Sequence, residues 1–218
     1  MQRVKSLAGA VVLALVAAAP VSLGPFRDLS EAPDLAAEFV IIPGQSQLRY
    51  HGHAFLHSFV GTTHRVSGTI RGNPRHLEDT AAVELKADAA SFDSGIQDRD
   101  RDGAKAIGAD RYPEIVFVSE KVQVQEQKQV PNYRLPVKIV GQLTLHGQTR
   151  RLEAPATLGF NPQDRTMSAE GSFPVKMTDF GVTLPTFLFL TVDDKFEIDF
   201  KITARLASPR LEDIKEKE

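Results

Sequence analysis

The sequence predicts an all-β protein whose antiparallel strands, about eight in number, close into a single barrel. Hydrophobic residues recur at every second position through the middle of the chain, and turn-forming residues separate these runs. The chain has 218 residues, of which 42% are hydrophobic, and this composition suits one domain with a sizeable core. A closed barrel also removes the unpaired edges that a long open sheet would expose.

The two-residue period is clearest over residues 83–89, where valine, leucine and alanine alternate with charged residues. Successive side chains of a strand point to opposite faces, so this pattern predicts a strand with one face in water. The same alternation predicts strands over residues 115–119, 137–145, 152–160, 167–175 and 196–202. Glycine, asparagine and aspartate at 146–148 and 161–164 predict hairpin turns between these strands.

The alternation stops between about residues 96 and 112, where small and polar residues replace it. Alanine and lysine at 104–106 favour a helical turn, so we expect one short helical excursion between two strands. Pro113 then returns the chain to extended geometry before the strand that begins near Ile115.

Residues 1–19 have the composition of a secretory signal peptide. Arg3 and Lys5 precede an apolar stretch from Leu7 to Val16, which three alanines follow. The stretch is shorter than the roughly 20 residues of a membrane span, and Pro20 ends it. We therefore expect cleavage, a periplasmic or secreted protein, and no stable membrane insertion of the mature chain. An uncleaved anchor is the alternative.

The remaining chain divides into a proline-containing linker over residues 20–37, a barrel domain over 38–206 and a charged tail over 207–218. The formal net charge of −2 provides no electrostatic basis for binding nucleic acid. Because the chain has no cysteine, disulfides and thiolate metal ligands are excluded. The sequence has no Gly-x-Ser-x-Gly nucleophile motif, and we expect no enzymatic activity.

Four motifs resemble those of the YceI-like family of polyisoprenoid-binding proteins. They are Ser-Phe-Asp-Ser-Gly at 91–95 with Arg99-Asp100 and Arg-Tyr-Pro-Glu-Ile-Val-Phe at 111–117, Gly-x-Leu-Thr-x-His-Gly-x-Thr at 141–149, Thr-Asp-Phe-Gly-Val at 178–182, and a His-to-Gly segment over 57–68. They occur in the family's order and span nearly all of residues 46–205. The chain departs from the pattern at Asp102 and Gly103, where the family often has histidine and a large apolar residue, and at His51 and His53, where apolar residues are usual.

The resemblance implies a lipocalin-like barrel that binds a polyisoprenoid or an isoprenoid-quinone-like lipid in its interior, without catalysis and without a required cofactor. A small apolar lipid is then the expected partner, and a homodimer is left open. We expect the ligand to contact Phe55, Phe92, Phe117, Leu143, Ala169, Gly171, Phe173, Phe180, Phe187 and Phe196. His51, His53 and His57, if they point inward, would hydrogen-bond a polar lipid head. Arg99 and Asp100 are expected to be structural and to hold the excursion across the barrel.

Two other interpretations stay open at this point. His51, His53 and His57, taken as one strand face, suggest a metal-binding barrel, although no metal site is assigned because no acidic partner stands at a suggestive spacing. A barrel filled by its own side chains would instead serve as a secreted interaction module. The apolar run at 187–190 either lines the barrel mouth or forms an ordinary core strand.

Overall fold

The structure, a computed structural model, describes residues 36–54, 57–73, 76–125, 134–161, 164–184, 186–187 and 190–207. The predicted signal peptide, most of the predicted linker and the tail from residue 208 onward lie outside these residues. Within the described part, β-strand is the main secondary structure, as the alternation predicts. None of the helices there is long and apolar enough to cross a membrane.

The secondary structure contains the strands and the helix that the sequence predicts, together with elements it does not predict. The strands are β1 (Ala37–Ile41), β2 (Gln47–Ala54), β3 (His57–Thr63), β4 (Val66–Gly72), β5 (Ala82–Asp88), β6 (Glu114–Val124), β7 (Arg134–Leu145), β8 (Gln148–Asn161), β9 (Thr166–Lys176), β10 (Thr186–Phe187), β11 (Leu190–Thr191) and β12 (Lys195–Leu206), and the helices are α1 (Leu77–Thr80) and α2 (Gln97–Ala106). Short 3-10 turns lie at Pro43–Gln45 and Met177–Phe180. Helix α2 confirms the predicted helical excursion.

Eight antiparallel strands close the barrel in the order β1, β4, β5, β6, β7, β8, β9 and β12, with β12 pairing back to β1. Strand β2 follows β1 along the same edge of β12, so that Phe39 lies opposite Leu206 and His51 lies opposite Glu197. Strand β3 pairs with β2 and leads into β4. The predicted closed barrel is therefore confirmed, and the β2–β3 hairpin lengthens its wall at one end.

Alternate residues of each strand face the interior, and those near the middle of the barrel are tightly packed. Val66, Val137 and Ile202 are each at most 2% exposed, and Ala204 is fully buried. They belong to one hydrophobic cluster that takes in residues from most of the strands. This middle layer is filled by side chains.

One end of the barrel, called the α2 end below, has two places where neighbouring strands do not pair. Strands β8 and β9 pair only from Ala156 opposite Gly171 to Asn161 opposite Thr166, and then separate. Pro155 lies on β8 next to the point of separation, and proline cannot donate to a ladder hydrogen bond. The second place lies beside β3, because β5 pairs with β4 and not with β3.

The excursion over residues 89–113 covers the second of these places. Thr62 on β3 exchanges two backbone hydrogen bonds with Asp93, each 2.9 Å long. These bonds join the excursion to the free edge of β3 and bring α2 to the barrel end.

The apolar run at 187–190 does not form a strand of the barrel. Strands β10 and β11 form a separate two-stranded hairpin, which joins the β2–β3 hairpin through a bridge between Ala54 and Val192. The interpretation of this run as an ordinary core strand is therefore wrong. The hairpin lies beside the barrel end, and the side chain of Phe187 lies outside the described residues.

Candidate functional site

Inward-facing side chains at the α2 end form the candidate site. Phe117 on β6 lies opposite Leu143 on β7, and Phe173 on β9 lies opposite Ile198 on β12. Phe117 and Phe173 contact both hydrophobic clusters of the interior. Phe196 lies two residues before Ile198 on the same face of β12 and is 8% exposed. The structure thus brings four of the predicted lining residues into one apolar region.

Packing does not close this region completely. Leu85, Phe117, Leu152, Phe173 and Ile198 face inward from five different strands, yet each remains half-buried. Protein interiors are normally close-packed, so an inward-facing side chain that keeps some exposure borders space that its neighbours leave open. The region therefore differs from the filled middle layer below it.

Aromatic rings occupy the space over four glycines of the inner wall. Tyr50 covers Gly61, Phe59 covers Gly52, Phe117 covers Gly141 and Phe200 covers Gly171. A Cβ atom built on each glycine would lie 2.4 to 2.6 Å from the nearest ring carbon, which is far inside van der Waals contact. Glycine at these positions lets each ring approach the backbone of the barrel wall.

Gly171 and Ala169 do not border the open region. The ring of Phe200 and the carbonyl of Pro155 fill the space over Gly171, so this glycine leaves no room for a ligand at its backbone. Ala169 is 6% exposed and lies opposite Ile202 in the packed middle layer. The expected ligand contact at Gly171 gains no support from this geometry, because a neighbouring ring uses the space.

Phe180 closes the place where β8 and β9 separate. It lies on the 3-10 turn that follows β9, is 4% exposed, and packs with Leu143, Leu145 and Val175. Gly181 ends this turn with a φ of 71°, a left-handed conformation that favours glycine. The predicted lining residue Phe180 is therefore part of the end wall.

The carboxylate of Asp194 fixes the same turn. It accepts hydrogen bonds of 2.8 Å from the Thr178 backbone N–H and 2.7 Å from the Thr178 hydroxyl. These two hydrogen bonds hold the pKa of Asp194 below its usual range.

His146 and Tyr112 join the end wall to the excursion. His146 Nδ1 donates to the carbonyl of Phe180 at 3.1 Å, and the Tyr112 ring packs edge-on against the imidazole with 5.4 Å between centroids. A Cβ at Gly147 would lie 2.4 Å from the Tyr112 ring, so this turn needs glycine for close approach as well as for its φ of 70°. Residues from three of the sequence motifs thus meet at this end.

Four polar side chains, Ser94, Arg99, Asp100 and Tyr50, form a second contact between the excursion and the barrel and are called the polar cluster below. Arg99 donates from Nε to the Ser94 hydroxyl and from a terminal nitrogen to the Ser94 carbonyl, both at 2.8 Å. Asp100 accepts from the backbone N–H of Ser94 at 3.0 Å and from its hydroxyl. The Arg99 guanidinium also lies 5.4 Å from the ring centroid of Phe59.

Tyr50 connects this polar cluster to a group of aromatic rings inside the barrel. Its ring centroid lies 5.6 Å from Phe92, 5.9 Å from Phe196 and 6.1 Å from Phe59. Its hydroxyl lies near the Ser94 side chain. Burial, followed by the negative charge of Asp100, raises the pKa of Tyr50, so the phenol stays protonated.

Sequence reasoning missed Tyr50, Phe59 and Ser94. The alternation of Leu48, Tyr50 and Gly52 with charged residues could have placed Tyr50 on the inner wall. Ser94 lies in the Ser-Phe-Asp-Ser-Gly motif, which indicates the family but not the role of this serine. Its bonds to Arg99 and Asp100 depend on the fold of the excursion.

The three histidines do not form one strand face, and that prediction is wrong. Strand β2 ends at Ala54, and His57 begins β3. His51 lies on the outer face, where its Nε2 is 2.7 Å from Asp199, and His53 on the same face lies 3.0 Å from the Ser58 hydroxyl. His51 and His53 therefore do not point into the barrel.

A shallow groove lies beside His51. It has a volume of about 360 Å³ and is bordered by His53, Val60, Lys195 and Glu197. Within the described ranges, no group of three or more His, Cys, Asp or Glu side chains could hold a metal ion. The predicted lining residue Phe55 lies outside the described residues.

Several solved structures have a fold similar to that of this chain. The chain matches BcnA of Burkholderia cenocepacia with a TM-score of 0.64 and 21% identity over 75% of this chain and 99% of that one. It matches a polyisoprenoid-binding domain from Saccharophagus degradans, implicated in plant cell wall breakdown, with a TM-score of 0.60 and 12% identity over 79% and 100%. The YCEI protein of Campylobacter jejuni matches with a TM-score of 0.51 and 19% identity over 66% and 81%. No curated protein matches the chain in sequence.

The model of the YceI-like domain matches residues 39–204. This match begins within β1, ends within β12 and includes every other strand of the barrel, the α2 excursion and the end wall around Phe180. Because the match extends over most of the chain, and because the barrel has the same fold as solved proteins of this type, the protein belongs to the YceI-like family.

Proposed function

We propose that the protein binds one long apolar lipid, a polyisoprenoid or an isoprenoid-quinone-like molecule, in the α2 half of its barrel and that it carries this lipid without chemical change. The observation that supports this proposal is the set of half-buried, inward-facing side chains on five strands, with Phe117 and Phe173 at its centre. The polyisoprenoid-binding domain of the same fold supports the choice of lipid class.

The energetics of such binding need no directional contact with the tail. Each CH₂ group that leaves water contributes about 0.8 kcal/mol, so a tail of several prenyl units binds tightly once the interior accommodates it. Because the middle layer is packed, the tail occupies the α2 half of the barrel and does not pass through its whole length. The arrangement selects ligands mainly by the volume and shape of their tails.

Lipid extraction tests the proposal directly. The mature protein, purified without detergent, is extracted with organic solvent, and the extract is examined by mass spectrometry. We expect a prenyl lipid in near-stoichiometric amount, or uptake of added isoprenoid quinone by delipidated protein with a rise in Tm. Failure to recover any prenyl or acyl species, together with an unchanged Tm after addition of the quinone, would contradict the proposal.

We further propose that the chain is exported after removal of residues 1–19, and that residues 20–37 act as a linker, 38–206 as the barrel domain and 207–218 as a charged tail. Cell fractionation followed by N-terminal sequencing tests this part. We expect the mature chain outside the cytoplasm, beginning just after Ala18 or Ala19. Recovery from the cytoplasm with Met1 retained would contradict export.

A further inference from the structure

The polar cluster lies on one side of an otherwise apolar space. From the neighbouring strands β9 and β12, the side chains that face the interior at the α2 end are Phe173, Val175, Phe196 and Ile198, all of them apolar. Tyr50 faces the same space from β2 and contacts the ring of Phe196. Tyr50, Ser94, Arg99 and Asp100 are each half-buried. A lipid whose tail lies between Phe117 and Phe173 would therefore bring its polar end to this cluster.

The charge of this region does not suit an anionic head. Arg99 already donates to the hydroxyl and to the carbonyl of Ser94 and lies against the Phe59 ring. Asp100 places a carboxylate beside Tyr50, and the excursion over residues 89–113 contains five aspartates and only four basic residues. A phosphate or carboxylate at this position would meet a nearby negative charge without an excess of cations to balance it.

Resting on the proposed function, we propose that the bound lipid has an uncharged, hydrogen-bonding head, such as a hydroxyl or a carbonyl oxygen, that Tyr50 and Ser94 hold this head, and that Asp100 discriminates against phosphate and carboxylate heads. The protonated Tyr50 phenol can turn from Ser94 to donate to a neutral oxygen of the lipid. The Ser94 hydroxyl, which donates to Asp100 and accepts from Arg99, then has one lone pair for a lipid hydroxyl. The head is thus selected by neutrality and hydrogen bonding, whereas the tail is selected by volume.

Lipids that share one tail but differ in their heads separate selection of the head from selection of the tail. Geranylgeraniol, geranylgeranyl diphosphate and the hydrocarbon with the same chain are titrated into the delipidated mature protein. Calorimetry gives the Kd of each lipid. We expect the alcohol to bind about tenfold more tightly than the hydrocarbon, the range expected for a hydrogen bond in a desolvated site, and the diphosphate to bind more weakly than the alcohol.

Two substitutions test which residues discriminate between the lipid heads. Tyr50→Phe should weaken binding of the alcohol about five- to tenfold relative to binding of the hydrocarbon, because it removes only the phenolic hydroxyl. Asp100→Asn should strengthen binding of the diphosphate relative to the alcohol. Asp102→Asn is the matched control, since Asp102 lies on the same helix, is exposed and approaches only the Arg101 guanidinium within ion-pair distance in the described chain.

The outcomes distinguish this inference from the proposed function. If all three lipids bind with equal affinity and neither Tyr50→Phe nor Asp100→Asn changes their order, the head-group inference is wrong while lipid carriage stands. If none of the three binds, the proposed function itself is wrong. A Tm close to that of the parent protein in both variants shows that the barrel has folded, so a loss of selection cannot be attributed to misfolding.

Discussion

At the scale of single residues, the pairing of glycine with an aromatic ring on a neighbouring strand determines which parts of the barrel interior are filled. Gly141 and Gly171 both lie on inner-wall positions where the sequence alternation calls for a side chain. The rings of Phe117 and Phe200 take up the space that those side chains would fill. Sequence reasoning found the glycines but could not assign their role, because each partner ring comes from another strand.

Replacing Gly171 tests this role. In Gly171→Ala, the new Cβ would lie 2.2 Å from the Pro155 carbonyl oxygen, and a backbone atom cannot move aside as a flexible side chain can. We expect a loss of about 1–3 kcal/mol in the free energy of unfolding, the range for overpacking in a core, measured by urea denaturation.

The matched control is Gly103→Ala on α2, where nothing lies within 4 Å of the new Cβ. An alanine in the interior of a helix is favoured over glycine by about 0.5–1 kcal/mol, so this variant should be as stable as the parent or slightly more stable. Equal stability of Gly171→Ala and the parent protein would show that the approach of the Pro155 carbonyl does not require glycine.

At the scale of elements, the 3-10 turn at Met177–Phe180 replaces the missing pairing between β8 and β9. The sequence motif Asp-Phe-Gly marks this turn, yet its function follows only from the point beyond Ala156 and Gly171 at which β8 and β9 stop pairing. Phe180 supplies the apolar volume, and His146 holds its carbonyl. We expect Phe180→Ala to lower the free energy of unfolding by about 3–5 kcal/mol, as large cavities in cores do.

Phe180→Leu keeps most of the apolar volume and should cost clearly less than Phe180→Ala in the same denaturation experiment. The comparison separates packing from backbone effects, since both variants leave the turn and its glycine intact. If the two variants lose the same stability, Phe180 does not act by filling the space between the strands.

Acid should weaken the same turn through Asp194. Its pKa in the folded protein is lowered by the hydrogen bonds from Thr178, whereas an unfolded aspartate has a pKa of about 3.9. A lowered folded pKa contributes stability that is present above the unfolded pKa and is lost as the pH falls through the folded pKa. The advantage of the parent protein over Asp194→Asn should therefore be full at neutral pH and should shrink below about pH 4.

Urea midpoints of the parent protein and of Asp194→Asn, measured from neutral to acidic pH, check this expectation. Asp193→Asn serves as the control, because Asp193 is an exposed carboxylate one residue away. A stability difference between the parent and Asp194→Asn that stays constant as the pH falls would exclude ionisation of Asp194 as its cause.

At the scale of the whole molecule, the sequence predicts the barrel more fully than it predicts the site. The alternation identifies β5 and β7 to β9 because a closed barrel imposes the same two faces on every strand. It ends β6 too early, since the register shift between Ser119 and Lys121 reverses the alternation and turns Val122 inward. The site depends on contacts between strands and the excursion, which no local pattern encodes, and this is why Tyr50 and Ser94 were missed.

Lipid carriage depends on empty volume inside the barrel. Ile198 faces the half-open region between Phe173 on β9 and Tyr50 on β2, whereas Ala169 faces the packed middle layer opposite Ile202. A larger side chain should be accommodated where the interior is open and should strain the fold where the interior is filled. A larger side chain should therefore be tolerated at position 198 and should destabilise the fold at position 169.

Ile198→Trp should keep a Tm close to that of the parent protein and should abolish uptake of prenyl lipid, because the indole occupies the space that the tail needs. Ala169→Leu should lose about 1–3 kcal/mol of stability through overpacking, while the fraction that remains folded still binds lipid. Thermal unfolding and lipid uptake are measured for both variants, and the new tryptophan also gives a direct fluorescence signal. If Ile198→Trp is destabilised as strongly as Ala169→Leu, the α2 half of the barrel is packed as tightly as its middle, and no lipid tail can be accommodated there.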